Sequence, residues 1–355
     1  MNNDRIQEIL DLMEEARLEY FLISDPQSIA YCTGYYNDPH ERMFVFMISK
    51  HGNHTLFMND LFYLEHDLDV NIVWHKDGQD AIQTIVDEMH FPGRIGIDKN
   101  WASHFLLDLM KKLPDAKYIN ASPCVDLVRM KKDLQEQVLM IESSKINDAV
   151  MEEIIPFIQE GVTEKQLAKK LDELFFNHHS TCYGAIVAFG KNAADPHHEN
   201  DDTPLRKGDC VLIDMGCVYK GYCSDMTRTF FYEGILEEEI KVYEIVKKAN
   251  EAAEAMIKPG VKLSDIDKCA RKVISDEGYG KYFTHRLGHF IGRDVHEYGD
   301  VSSVNEMEVE EGMIFSIEPG IYLEGNFGVR VEDLVMVTKD RCQVLNSFTK
   351  DIYII

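Results

Sequence analysis

Two acids mark the stretch Gly208–Phe231, GDCVLIDMGCVYKGYCSDMTRTFF. Asp214 closes the apolar, β-branched run Cys210–Ile213, which reads as a buried strand, and Asp225 follows a turn signal at Lys220-Gly221. A hairpin whose loop centres between Tyr219 and Lys220 would set the two carboxylates opposite each other, with Cβ atoms about 4.5–5.5 Å apart. A loop one residue longer would break that register. Carboxylates so placed repel, and divalent cations that favour oxygen ligands would reconcile them. Because 62 of the 355 residues are Asp or Glu, two unrelated surface acids are the competing reading.

Four further stretches carry candidates. In Gly190–His198, GKNAADPHH, Pro196 ends regular structure just before His197 and His198, a pair whose plainer reading is solvent exposure. His285–Glu297, HRLGHFIGRDVHE, has the i, i+4 histidine spacing of a helical zinc pair but lacks the Glu of HExxH. Gly288 and Gly292 oppose a helix, so a bent strand or loop presenting His289 and His296 separately is expected. MIFSIEPG repeats the opening design, an apolar strand ending on an acid, Glu318. In GVRVEDLVMV the alternation puts Arg330 and Glu332 on one face.

Together Asp214, Asp225, His289, Glu318 and Glu332 make four carboxylates and one imidazole. Uncompensated charge at strand ends is costly. Four negative charges around two divalent cations leave neutrality to a hydroxide, the layout of a two-metal hydrolase. Such a set suits Mn²⁺ or Co²⁺ at least as well as Zn²⁺ or Fe²⁺.

The elements that must position these groups fall into two regions. Residues 1–121 alternate helix and strand as a small α/β domain, beginning with an amphipathic helix at Arg5–Tyr20. Residues 122–132, with Ser122-Pro123 and a basic cluster, read as a linker. Residues 133–355 mix β ribbons with covering helices at about 133–158, 163–177, 237–257 and 264–277. Thr163 and Gln166 form a capping box ahead of the stripe Leu167, Leu171, Leu174. The polar loop Gly34–Arg42, GYYNDPHER, reads as a solvated turn around Pro39 with Asp38 and His40 beside it.

Composition narrows the class. Hydrophobic content of 45% with 28% charged residues is that of a soluble globular protein, and a net charge of −25 argues against sequence-independent nucleic-acid binding. No apolar run reaches transmembrane length and the first residues lack signal-peptide character, so no membrane association and a cytoplasmic location are expected. Eight cysteines without a CxxC pair fit reduced thiols better than disulfides or a zinc knuckle.

The strings DMGCVYKGYCSDMTRTF, HRLGHFIGRDVHE, IEPGIY and GVRVEDLV, in this order, resemble the creatinase/prolidase/aminopeptidase P family of pita-bread metallopeptidases. The resemblance implies an N-terminal creatinase-like α/β domain followed by a pseudo-symmetric pita-bread catalytic domain holding two metal ions. Asp214, Asp225, His289, Glu318 and Glu332 fall on the ligand positions, none substituted, while His197, His296 and Arg330 match non-ligand active-site positions. The activity implied is hydrolysis of the bond preceding proline. Glu318 would relay the proton, the two histidines would bind the carbonyl, and Arg330 would orient Glu318 or a substrate carbonyl. Small proline-containing peptides are the expected partners, with a homodimer as the assembly. Arg293 stands where many relatives carry an apolar residue and, with a loop formed by Asp38 and His40 of a partner subunit, would favour dipeptides. Aminopeptidase P action on longer peptides is the alternative; a non-catalytic peptide- or protein-binding member of the fold is the alternative from another class.

Overall fold

The computed structural model describes residues 1–355, and the chain divides into two compact units, Met1–Arg129 and Met130–Ile355. In the first unit a six-stranded sheet runs in the order 71–75, 55–59, 45–49, 20–23, 94–97, 117–120. Alternation along its strands feeds two cores. Phe21, Ile23, Phe46 and Ile48 pack with Ile6, Ile9 and Met13 of the helix Asn3–Glu15, whereas Tyr20, Leu22, Val45 and Met47 pack with Ile82, Ile85 and Leu109. Helices therefore cover both faces of the sheet.

Ser122–Met130, expected as a linker, forms a helix whose Cys124, Val125 and Val128 join the first of these cores. Ser122-Pro123 suggests a break, but proline is tolerated in a helix's first turn because its missing N–H has no intrahelical partner there. The same signature opens an additional helix, Pro26–Thr33, capped by the Asp25 side chain on Ser28 N.

The second unit uses one order of elements twice, two helices followed by antiparallel strands. Helices Leu134–Ile154 and Glu164–Asn177 precede a three-stranded sheet of Ile186–Phe189, Cys210–Met215 and Met226–Phe231. Helices Glu237–Met256 and Leu263–Asp276 precede a five-stranded sheet that contains Gly288–Phe290, Ile314–Ile317 and Asp333–Val337. The capping box at Thr163 and Gln166 forms, and Leu167, Leu171 and Leu174 meet Val187, Val211, Ile213 and Met215 in one core. Since Val211, Ile213 and Met215 face those helices, Asp214 must face away from them. None of the eight cysteines forms a disulfide. No helix is long and apolar enough to cross a membrane.

Candidate metal centre

The hairpin that carries the two aspartates is real, but its register differs from the expected one. Val218 pairs with Cys223, Tyr219 with Tyr222, and Asp214 with Thr227, so the loop centres on Lys220-Gly221. Both loop residues have positive φ, 49° and 82°, the backbone that a two-residue turn needs to match strand twist. Asp214 and Asp225 are thus diagonal neighbours rather than opposite ones. A shift of two residues keeps both on the same face. Gly216 follows Asp214 where a Cβ would lie 1.9 Å from the Tyr183 hydroxyl and 2.0 Å from the Ser224 carbonyl. Only glycine permits that approach.

The strand Gly288–Phe290 brings His289 to the same place. Its Nδ1–H is placed to donate to the Phe290 carbonyl at 3.2 Å, which turns Nε2 toward three carboxylates. Nε2 lies 3.6 Å from Asp225, 3.8 Å from Glu318 and 3.9 Å from Glu332. Potential ligand atoms of Asp225, His289 and Glu332 all fall within 4.8 Å of one another. The His296 ring stands edge-on to His289, centroids 4.3 Å apart.

Fixed partners hold the carboxylates in place. Thr227, on the strand paired with Asp214, donates its hydroxyl to Glu332 Oε2 at 2.7 Å and accepts Arg330 Nε at 3.1 Å. Arg330, expected to orient Glu318 or a substrate carbonyl, donates its Nη2 to Asp214 Oδ2 at 2.6 Å and its Nη1 to the Tyr322 hydroxyl at 2.9 Å. Asp225 Oδ1 and Glu332 Oε1 are buried and accept no hydrogen bond. A buried oxygen left without a donor is costly unless a cation serves it.

Electrostatics point the same way. Burial, then the neighbouring acids Asp225, Glu318 and Asp214, push the Glu332 carboxyl well above its ordinary range. Burial raises Glu318 to about 7 and also raises Asp225. Burial disfavours the His289 imidazolium, yet Asp225 and Glu318 outweigh it and the net shift is upward. Four carboxylates share one buried guanidinium, that of Arg330, so acids outnumber buried cations in this corner of the fold. An oxygen-rich set with one imidazole and two unserved oxygens fits hard or borderline divalent cations.

Beside this cluster opens a cavity of about 550 Å³, lined among others by His197, His296, Arg330, Tyr183, His285 and Arg286. It lies within the size range of small-molecule sites. Burial lowers His296 and His285 to about 4 each, so both are neutral at neutral pH. Arg293 does not line the cavity. Its guanidinium lies over the Tyr222 ring and beside Gly221. Asp38 and His40 belong to the first unit, both exposed, with His40 Nδ1 3.7 Å from Asp38. Arg42 of that loop pairs with Asp77. Sequence reasoning did not single out Tyr183, Thr227, Tyr322 or Arg286 for the site. Thr227 and Tyr322 lie inside the quoted motifs, but nothing in their spacing reveals which distant side chain each would meet.

A second group of potential ligands, Glu164, His198 and Asp201, shares no residue with the Asp225, His289 and Glu332 group.

Residues 138–339 match metallopeptidase family M24, and residues 5–131 match the creatinase/prolidase N-terminal domain. An uncharacterized peptidase of Staphylococcus aureus (strain bovine RF122 / ET3-1) is 34% identical, over 98% of this chain and 99% of its own length. A dipeptidase from Pyrococcus horikoshii OT3 superposes with a TM-score of 0.93 at 34% identity, covering 99% of this chain and 100% of that one. A recombinant prolidase from Thermococcus sibiricus gives a TM-score of 0.94 at 32% identity, covering 100% and 99%. With both halves matched in order and the buried acids gathered as that chemistry requires, the chain belongs to metallopeptidase family M24, a peptidase with a creatinase-like N-terminal domain and a pita-bread catalytic domain, whose family implies divalent metal ions.

Proposed function

We propose that the protein hydrolyses the peptide bond preceding proline, in dipeptides, using two divalent cations held by Asp214, Asp225, His289, Glu318 and Glu332. The observation that carries the reading is the pair of unserved buried oxygens, Asp225 Oδ1 and Glu332 Oε1, on two carboxylates that approach His289 Nε2 to 3.6 and 3.9 Å. Mn²⁺ or Co²⁺ suits the oxygen-rich set, with Zn²⁺ or Fe²⁺ as the alternatives. When bound, such cations supply Lewis acidity and make water a competent nucleophile near neutral pH.

The chain's own groups then have distinct tasks. Glu318, with its proton affinity raised to about 7, takes a proton from water and returns it to the departing nitrogen. His296 is neutral above about pH 4 and can donate an N–H to the carbonyl oxygen as negative charge develops there; His197, which also lines the cavity, can donate a second N–H. Arg330, clamped by Asp214, Thr227 and Tyr322, keeps the acids apart and in register. Proline offers no N–H, so the cavity must select it by shape and by its carbonyl.

Dipeptide preference requires a cation for the free C-terminal carboxylate. Arg286 lines the cavity and suits this task; Arg293, turned toward Tyr222, is the second candidate. Asp38 and His40 would contribute from the other subunit of a homodimer.

The test is protein stripped of metal and reloaded with Mn²⁺, Co²⁺, Zn²⁺ or Fe²⁺, with metal content measured and turnover compared on an Xaa-Pro dipeptide and an Xaa-Pro-Yaa tripeptide. Metal-dependent cleavage favouring the dipeptide is expected. Absence of cleavage with every metal ends the reading, and a tripeptide preference converts it to an aminopeptidase.

A further inference from the structure

Glu164 opens the helix Glu164–Asn177 and its side chain is completely buried. A carboxylate in such a place needs compensation, and this one has all it can take. Oε1 accepts from Phe189 N and from Asn192 Nδ2, both at 2.9 Å. Oε2 accepts from Asp201 N at 3.0 Å and pairs with His198 Nε2 at 2.7 Å. A carboxylate has about four lone-pair positions, and here four donors fill them. That saturation disqualifies the Glu164, His198 and Asp201 group as a metal site despite its ligand-like spacing.

All four donors come from one stretch, Phe189–Asp201, and that stretch carries His197. His197 is exposed, and its backbone N–H bonds only within the loop, to Asp195 Oδ1 at 3.1 Å. Its immediate neighbour His198 is the residue Glu164 grips. Further bonds tie the same helix start to the end of the stretch and just beyond it, Lys165 N to Asp201 O at 3.2 Å and Glu164 N to Thr203 O at 3.3 Å. Asn200 also anchors the loop, accepting from Val187 N and donating to the Ala185 carbonyl, both at 2.7 Å, and next to His197 itself the hold is weaker, Arg330 Nη1 on the Pro196 carbonyl at 3.4 Å.

We propose that Glu164 is a positioning residue: by collecting four donors from Phe189–Asp201 it holds that loop so that His197 faces the cavity. The inference rests on the reading of His197 as a carbonyl-binding group under Proposed function. Charge matters as well as shape, because bonds to an ionised acceptor are about twice as strong as neutral ones, and the helix N-terminus favours an anion. Glu164→Gln keeps the volume but replaces one acceptor by an N–H₂ that faces existing donors.

The experiment is a double-mutant cycle. Turnover is measured for wild type, Glu164→Gln, His197→Ala and the double variant, all with metal content determined. Hydrogen exchange over residues 187–201 is followed in parallel. Glu164→Gln is expected to lower kcat about tenfold at unchanged metal content and to speed exchange in 187–201 but not in 210–231. In the His197→Ala background the same substitution is expected to change kcat less than twofold. Equal losses in both backgrounds, or unchanged exchange over 187–201, overturn the proposal. Where Glu164→Gln does not fold, His198→Gln takes its place in the cycle, with the same expectations at about threefold. Wild-type protein that cleaves no Xaa-Pro peptide defeats the functional reading instead, and the exchange measurement still decides whether Glu164 holds the loop.

Discussion

Arg330 Nη2 lies 2.6 Å from Asp214 Oδ2, joining two strands 116 residues apart in sequence. The pair is buried on the arginine side, and Tyr322 and Thr227 take two further guanidinium donors. Arg330 is therefore a buried cation fixed among the acids of the site. Arg330→Ala is expected to destabilise the protein by about 3–5 kcal/mol, because removing one partner leaves buried charge uncompensated. Urea unfolding checks this. A loss below about 1 kcal/mol would show that the acids are not held against one another as described.

Surplus negative charge also makes a prediction about metal. Added Mn²⁺ or Co²⁺ at a hundred times its dissociation constant should stabilise the fold by about 2.7 kcal/mol through preferential binding. Asp225→Asn or Glu332→Gln should abolish that gain. Thermal unfolding with and without chelator reads both effects. A metal-induced gain that survives both substitutions would move the site elsewhere.

His285, on the wall of the same cavity, offers a pH test. Its Nδ1 donates to the Arg286 carbonyl and its Nε2 meets the Tyr322 hydroxyl, so the neutral ring is fully used. Burial foremost, then the Arg330 charge, pushes it down to about 4 from an ordinary 6.5. The fold disfavours the bound proton, so stability is complete above about pH 6.5 and is lost as pH falls toward 4. Full loss corresponds to about 3 kcal/mol. His285→Gln should flatten the curve of unfolding free energy over this window. A curve identical to wild type would contradict the burial assigned to the ring.

The Lys220-Gly221 turn sets the register of the aspartate hairpin. Lys220 adopts φ of 49°, a conformation that asparagine tolerates better than lysine. Lys220→Asn should therefore stabilise by a few tenths to about 1 kcal/mol, whereas Gly221→Val, at φ of 82°, should cost about 1–2 kcal/mol. Opposite signs at adjacent positions are the signature of this turn type, read by chemical denaturation.

Substrate length separates the two arginines. Arg286→Ala should raise KM for an Xaa-Pro dipeptide about tenfold and leave that for an Xaa-Pro-Yaa tripeptide within twofold. Arg293→Leu should change the dipeptide KM little, since its guanidinium rests on Tyr222. The reverse pattern would return the carboxylate contact to Arg293.

Local chemistry made much of this protein readable from its residues alone. Apolar runs ending on Asp214 and Glu318, the glycine-punctuated His289 segment and the Thr163–Gln166 cap each depend on neighbours a few positions away, and each took the form expected. Period-two alternation likewise puts Asp214 and Asp225 on one face, given the two-residue loop that the structure has. What the tertiary structure decided depends on contacts between distant strands and on backbone angles that one-letter patterns do not encode. Positive φ at Lys220 moved the hairpin register by two residues. Packing of Phe327–Arg330 beside Cys210–Met215 gave Arg330 to Asp214 rather than to Glu318. Pro123 began a helix because its first turn needs no N–H from it, where the residue type alone suggests a break. Burial, which no spacing reveals, then converted scattered acids into a cluster whose oxygens call for cations.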